Sequence, residues 1–186
     1  MGATAAAVQA VKSRDAHDAA DPAGAATRNL GRALVSVILL AMWGGASLIV
    51  ITTVAPAAFR VLPTRALAGA LVGQVLPVLF LAGIVVGTAS MVLAARGAPK
   101  MLARRIGAAG TVIGCLVAQA IIGPKIAALR VKIGPNIEAL ATTDPLRMEF
   151  GRLHGFSVLA LGVALIFALV ALVSAVLAVR DVRTAD

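Results

Sequence analysis

The sequence predicts an all-α polytopic membrane protein, a bundle of four transmembrane helices. Of its 186 residues, 60% are apolar and only 13% are charged, whereas a soluble domain is close to half apolar and a quarter charged. The charged residues leave four apolar runs of at least 19 residues. About 20 apolar residues in a helix cross the hydrocarbon core of a bilayer. A helix satisfies its own backbone hydrogen bonds there, so each run predicts one spanning helix.

The N-terminal segment and the first helix differ sharply in composition. Residues 1–29 mix basic and acidic side chains without helical periodicity, which is typical of a disordered tail. The first helix is predicted at about 33–59. The sequence Ala55-Pro56-Ala57 near its end resembles a signal-peptidase site. The apolar region of a signal peptide has about 7–15 residues, however, so this longer run favours a retained helix.

The other three helices are predicted at about 66–95, 106–133 and 145–180. The third extends past its charge-free run because apolar residues recur at helical spacing as far as Ile133. Asp144-Pro145 is typical of the cap and first residue of a helix, and it begins the fourth. The membrane domain therefore covers 30–180, and residues 181–186 form a second short tail.

The distribution of basic residues predicts the orientation in the membrane. The linker between the second and third helices carries Arg96, Lys100, Arg104 and Arg105 and no acidic residue. Short basic loops stay in the cytoplasm. The longest loop, 125–152, carries five basic and three acidic residues and favours the outer side less clearly. We expect a multi-pass protein of the bacterial cytoplasmic membrane with both termini cytoplasmic.

Two function classes are disfavoured by the charged residues. The net charge of +9 does not indicate nucleic-acid binding, because the basic residues lie in short clusters between the apolar runs and aromatic residues make up only 3%. All eight acidic residues lie outside the four runs, which leaves no carboxylate for acid–base chemistry at mid-membrane. Hydrolase, zinc-protease and nucleotide-binding motifs are absent from the sequence. We therefore expect no enzyme activity and no nucleic-acid partner.

Metal and haem cofactors are not expected either. Bis-histidine haem needs two histidines at membrane depth, but His17 lies in the tail and only His154 remains. A copper site could draw on Met42, Met91, Cys115 and His154. These residues do not converge in the predicted layout, so core packing is the favoured interpretation of the sulfur-containing side chains.

Polar side chains concentrate at one end of the predicted bundle. With cytoplasmic termini, this end is the outer half of the membrane. On the fourth helix, Phe150, His154 and Ser157 share one face with Arg147. The candidate lining of an outward-facing polar vestibule is Thr52, Gln74, Gln119, Arg130, His154 and Ser157. The alternative is that these groups hydrogen-bond across helices and serve packing only.

Small residues recur four apart on several helices. The pairs are Gly69/Gly73, Gly83/Gly87 and Gly110/Gly114, and Ala160, Ala164 and Ala168 continue the pattern. Small residues allow close approach of helices in lipid. Packing within one bundle is the favoured interpretation, and a homo-oligomer through these positions is the alternative.

Three stretches of sequence resemble a known family. Trp43-Gly44-Gly45 and Val54-Ala55-Pro56-Ala57-Ala58-Phe59 belong to the first helix, and Phe150-Gly151-Arg152-Leu153-His154-Gly155-Phe156-Ser157 opens the fourth. Together with Pro124 and Arg130, they resemble the transmembrane-protein-205-like domain over roughly residues 33–178. The resemblance implies a four-helix integral membrane protein without an assigned catalytic residue. It also marks Arg130, His154 and Ser157 as matching polar positions.

Three hypotheses for function follow. The favoured one is handling of a small polar or anionic solute through the vestibule, with the lipid bilayer as the surrounding partner and no cofactor. The second is a structural or assembly partner of another membrane protein. The third is a membrane enzyme or a haem- or copper-associated protein.

Overall fold

The protein forms a bundle of four long helices. The computed structural model describes residues 8–10, 21–94, 98, 100–134 and 137–183. In chain order, α1 comprises Pro22–Ile49, Val50–Val54 and Ala55–Val61; α2 is Arg65–Leu93; α3 comprises Met101–Leu116, Val117–Ile122 and Gly123–Ile133; and α4 is Pro145–Arg183. Each is long and apolar enough to cross a membrane. The described residues include no strand, and the predicted fold class is confirmed.

Two of the helices contain a π-helical turn just before a proline. In α1 this segment is Val50–Val54 and precedes Pro56, and in α3 it is Val117–Ile122 and precedes Pro124. Proline has no N–H and its ring clashes with the carbonyl four residues earlier. A wider turn makes room for the proline ring and lets the helix continue past it without a break. Pro77 instead lies inside the regular helix α2.

Helix α1 begins earlier than the sequence analysis predicts. It starts at Pro22, capped by Asp21, whose Oδ1 accepts a hydrogen bond of 2.9 Å from the Gly24 N–H. The interpretation of residues 1–29 as a tail is therefore wrong from Pro22 onward. The physical reason is an Asp-Pro start like the one at Asp144-Pro145. Residues 1–7 and 11–20 lie outside the described part of the chain.

Helix α3 also begins earlier than predicted, at Met101 and not at 106. The predicted start followed the last basic residue, but arginines can lie within the helix when their charges find partners. Arg104 is buried and its Nη2 lies 3.4 Å from the Ser36 Oγ, to which it donates. Arg105 donates from Nε to the Ala94 carbonyl at 3.0 Å.

The ends of the helices near the longest loop agree with the sequence pattern. Helix α3 ends at Ile133, where Gly134 adopts a positive φ of 77°, and α4 begins at Pro145. Between them lies a short 3-10 turn, Ile137–Ala139. The Asp144 Oδ1 accepts a hydrogen bond of 2.8 Å from the Leu146 N–H, which satisfies one free donor at the start of α4.

The core joins all four helices around a single tryptophan. Trp43 of α1 is buried, and its Nε1 donates a hydrogen bond of 2.9 Å to the Leu79 carbonyl of α2. Cys115 of α3 and Leu161 of α4 belong to the same buried cluster. The indole thus has its polar atom satisfied in an apolar surrounding, as a buried tryptophan requires.

Glycines on α3 allow the most extensive contact in the bundle, which joins α3 and α4. A Cβ atom on Gly107 would lie 2.7 Å from the Phe167 carbonyl oxygen, and one on Gly110 would overlap the Phe167 ring. A Cβ on Gly114 would lie 3.1 Å from the Ala160 carbonyl oxygen. The two backbones approach each other because these positions have no side chain.

The small-residue pairs serve different surfaces. Gly83, Gly87, Gly110 and Gly114 pack against neighbouring helices of the same chain, whereas Gly44 and Gly45 have open space around them. Packing within the bundle therefore accounts for two of the predicted pairs. A homo-oligomer through the small-residue pairs stays a prediction.

We expect Gly107→Ala to destabilise the bundle and Gly45→Ala to leave it intact. An added methyl group at 107 meets backbone atoms of α4 that cannot move independently, and overpacking of this kind costs about 1–3 kcal/mol. At 45 the methyl group meets nothing, and alanine improves helix propensity. Thermal unfolding of both variants in the same detergent checks this; equal midpoints would contradict the role given to Gly107.

The orientation in the membrane can be tested at two exposed positions, Lys100 between α2 and α3 and Thr142 between α3 and α4. In a Cys115→Ala background, we expect Thr142→Cys to react with an impermeant thiol reagent on intact cells and Lys100→Cys to be protected. Both should react once the membrane is disrupted. The reverse pattern on intact cells would place both termini outside.

Candidate functional site

A cavity of about 470 Å³ lies between the four helices near the ends of α1, α3 and the start of α4. Five of the six candidate residues line it: Gln74 of α2, Gln119 and Arg130 of α3, and His154 and Ser157 of α4. Ser157 is buried, Gln119 and Arg130 are half-buried, and Gln74 and His154 are exposed. The structure thus brings together polar groups that are as many as 83 positions apart in the chain.

Thr52 does not line this cavity, so the expectation that it joins the other five is not met. It lies on the π-helical segment of α1 and is exposed. Its hydroxyl donates to the Leu48 carbonyl at 2.7 Å. A threonine in a helix commonly satisfies its hydroxyl on the preceding turn in this way.

Arg130 is held over α2 by two contacts. Its Nη2 donates a hydrogen bond of 2.8 Å to the Gly69 carbonyl. On the other side, the guanidinium carbon lies 5.6 Å from the centroid of the Phe150 ring, a cation–π distance. These contacts connect α3 with both α2 and α4. They orient a planar cation that has further N–H groups available for a ligand.

The pair Gly69/Gly73 provides the notch in which this guanidinium lies. A Cβ on Gly73 would be 2.8 Å from the Arg130 Nη1, and one on Gly69 would be 3.6 Å from Nη2. The third small-residue pair therefore serves side-chain placement and not helix packing. Pro77 also lines the cavity and lacks the N–H that would bond to the Gly73 carbonyl in a regular helix.

The remaining polar side chains of the cavity have no hydrogen-bond partner within the described part of the chain. Among the described residues, no hydrogen bond involves the side chains of Gln74, Gln119, His154 or Ser157. If these groups served packing between helices, they would bond across the helices. Their donors and acceptors are instead available to water or to a ligand in the cavity.

Charge and aromatic groups complete the cavity. Among the described residues, no carboxylate lines it, and Arg130 is the one lining side chain with a permanent charge. Three of the chain's five phenylalanines contribute to the lining, namely Phe59, Phe80 and Phe150. Helical spacing in the sequence predicts the face on which Phe150 lies, whereas no spacing or motif marks Phe59 and Phe80 as lining residues. The scarcity of aromatic residues could have indicated them. Arg147, predicted on the same face as Phe150, donates instead to the Leu140 carbonyl at 2.7 Å.

The π-helical turn of α3 contributes directly to this site. Gln119 lies within Val117–Ile122, and Gly123 and Pro124 just beyond it also line the cavity. A π-helical turn contains one residue more than an α-helical turn. The side chains that follow it, including that of Arg130, therefore lie on a different face of the helix. Such turns often occur at functional sites, and the sequence marks this one only through Pro124.

The side chains offer no evident metal site. Within the parts of the chain that the structure describes, no group of three or more His, Cys, Asp or Glu residues could hold a metal ion. Cys115 is buried in the core beside Trp43. Both side chains pack against Gly83 of α2, where a Cβ atom would overlap them. Of the residues considered for copper, His154 alone lines the cavity.

Four apolar helices of membrane length around a polar cavity define a multi-pass integral membrane protein. A family model matches residues 38–134, just over half of the chain, and its description is "Domain of unknown function (DUF4149)". The chain belongs to this family. Neither a curated protein nor a solved structure matches the chain. The matched region contains Gln74, Gln119 and Arg130 and ends before α4.

We expect the cavity to be accessible to water-soluble reagents, and neighbouring positions on α3 offer a matched test. In a Cys115→Ala background, Gln119→Cys should react with a small charged thiosulfonate, because residue 119 lines the cavity. Ala120→Cys lies at the same depth but is exposed outside either cavity, and lipid should protect it. Equal labelling rates would contradict a water-filled cavity.

Proposed function

We propose that this protein binds a small polar or anionic solute in the cavity at Arg130 and handles it at the membrane without chemical conversion. One observation carries the proposal. Among the described residues, four polar side chains without a hydrogen bond to the protein line the same cavity as one guanidinium, and no carboxylate lines it. Because the protein leaves these donors and acceptors unused, a polar ligand that enters the cavity can bind to them without displacing a protein hydrogen bond.

The dimensions and chemistry of the cavity support this class of ligand. Small-molecule sites have volumes of about 300–1,000 Å³ and combine apolar walls with a few polar groups, and this cavity of about 470 Å³ falls in that range. A guanidinium recognises carboxylate or phosphate oxygens through paired N–H groups. Glutamine, histidine and serine can each donate or accept, so they suit a polar solute of either kind.

The resemblance to the transmembrane-protein-205-like domain belongs to the same proposal. Its matching polar positions, Arg130, His154 and Ser157, are all in the lining of the cavity. With the proposed cytoplasmic termini, this end of the bundle faces outward from the bacterial cytoplasmic membrane. The solute would then enter from outside the cell.

The test is thermal unfolding of the purified protein with and without millimolar acetate, succinate, phosphate or sulfate. We expect at least one of these anions to raise the unfolding midpoint of the wild type. At a concentration a hundredfold above Kd, the rise should be about 5–10 °C. Arg130→Gln should lose this stabilisation, because the cavity then has no permanent charge.

A matched control is Lys132→Gln, which removes a cation from the same end of α3 outside the cavity. It should keep the anion effect. The double variant Gln119→Ala/His154→Ala removes no protein hydrogen bond, so it should fold normally and bind more weakly. The proposal fails if no anion stabilises the wild type, or if Arg130→Gln is stabilised equally.

A second candidate function is assembly with another membrane protein. One observation favours it: Gly151 and Gly155 of α4 are exposed, four residues apart, with open space around them. Such a pair can receive a neighbouring helix. A stoichiometric protein partner in native mass spectrometry of the detergent extract, lost in Gly151→Leu/Gly155→Leu, would favour this candidate.

A further inference from the structure

A second, more apolar groove lies between α3 and α4. It has a volume of about 660 Å³ and is lined by these two helices alone. Its walls include Ile113, Val117, Phe156 and Val163. Because these side chains are apolar, a molecule that occupies the groove must itself be largely apolar.

Two cations lie together at one end of this groove. Lys125 of α3 and Arg152 of α4 are part of its lining, which contains no acidic residue among those that the structure describes. Among the described residues, neither cation forms an ion pair or a side-chain hydrogen bond. The groove therefore combines an apolar channel with an uncompensated double positive charge at a single end.

The length of the groove corresponds to one leaflet of a bilayer. It extends on α3 from Lys125 to Gly110 and on α4 from Arg152 to Phe167, and Gly110 contacts Phe167 at the far end. Fifteen residues at helical rise span about 22 Å. Half of a bilayer including its headgroups is about 20–22 Å thick. The cations thus lie at headgroup level when the far end reaches the midplane.

We propose that the α3–α4 groove, defined by these residues, binds one anionic phospholipid from the leaflet on the Lys125 and Arg152 side. The phosphate and the anionic headgroup contact the two cations, and an acyl chain lies along Val117 and Val163 toward Phe167. Lysine and arginine at this depth attract anionic lipids in preference to zwitterionic ones. This site is separate from the cavity at Arg130 and does not depend on the function proposed for it.

The test uses delipidated full-length protein in detergent with an equimolar mixture of dioleoyl phosphatidylglycerol and dioleoyl phosphatidylcholine. Native mass spectrometry then counts the bound lipids. We expect one retained phosphatidylglycerol, favoured over phosphatidylcholine on the order of tenfold. Lys125→Gln/Arg152→Gln should abolish the preference. Val163→Trp, which fills the groove, should lower retention of both lipids while the cations stay in place.

The matched control is Arg60→Gln/Lys132→Gln, which removes one arginine and one lysine from exposed positions outside the groove. It should keep the preference. Helical content and unfolding midpoint verify that each variant folds, and Leu159→Trp replaces Val163→Trp should that variant unfold. Equal retention of the two lipids by the wild type, an equal loss in the control, or displacement of the lipid by millimolar inorganic phosphate would overturn the proposal.

Discussion

The close approach of α3 to α4 determines how the other parts of the bundle are arranged. Three glycines of α3 bring its backbone against Ala160, Phe167 and the neighbouring turns of α4. Lipid provides little hydrophobic drive for helix association, so close packing must supply the attraction. Helices α1 and α2 pack against this pair around Trp43 and Cys115, and the polar cavity is lined on α3 by residues beyond Gly114, from Ala118 to Arg130.

Two prolines lie in or next to the segments of α1 and α3 that line the polar cavity. In lipid, a broken helix would expose unsatisfied backbone groups, and the π-helical turns before Pro56 and Pro124 let α1 and α3 continue past each proline without a break. The same turns alter the faces presented by Phe59 and Arg130. A constraint on the backbone thus places the aromatic and charged groups of the polar cavity.

The sequence predicts the fold well because spanning helices need apolar runs of a definite length, and those runs are visible in the chain. It predicts most of the cavity because Gln74, Gln119 and Ser157 are rare polar residues in apolar surroundings. It does not predict that α1 begins at Pro22, because the composition of residues 1–29 fits a disordered tail as well as a capped helix. Nor does it predict that Thr52 is satisfied by its own helix, or that Gly73 leaves space for Arg130, because both depend on rotation about the helix axis.

The two cavities differ in chemistry although they share α3 and α4. Along α4, Leu153 and Phe156 line the apolar groove, whereas the adjacent His154 and Ser157 line the polar cavity. Neighbouring residues project about 100° apart on a helix, so one helix separates the two sites. In the described part of the chain, each cavity is lined by basic side chains and by no carboxylate, which favours anions in both. The two cavities differ in how polar their walls are. Gln74 and Gln119, whose amides form no hydrogen bond with another described residue, line the cavity of Arg130 and suit a hydrated solute. The apolar walls beyond Lys125 and Arg152 suit an acyl chain.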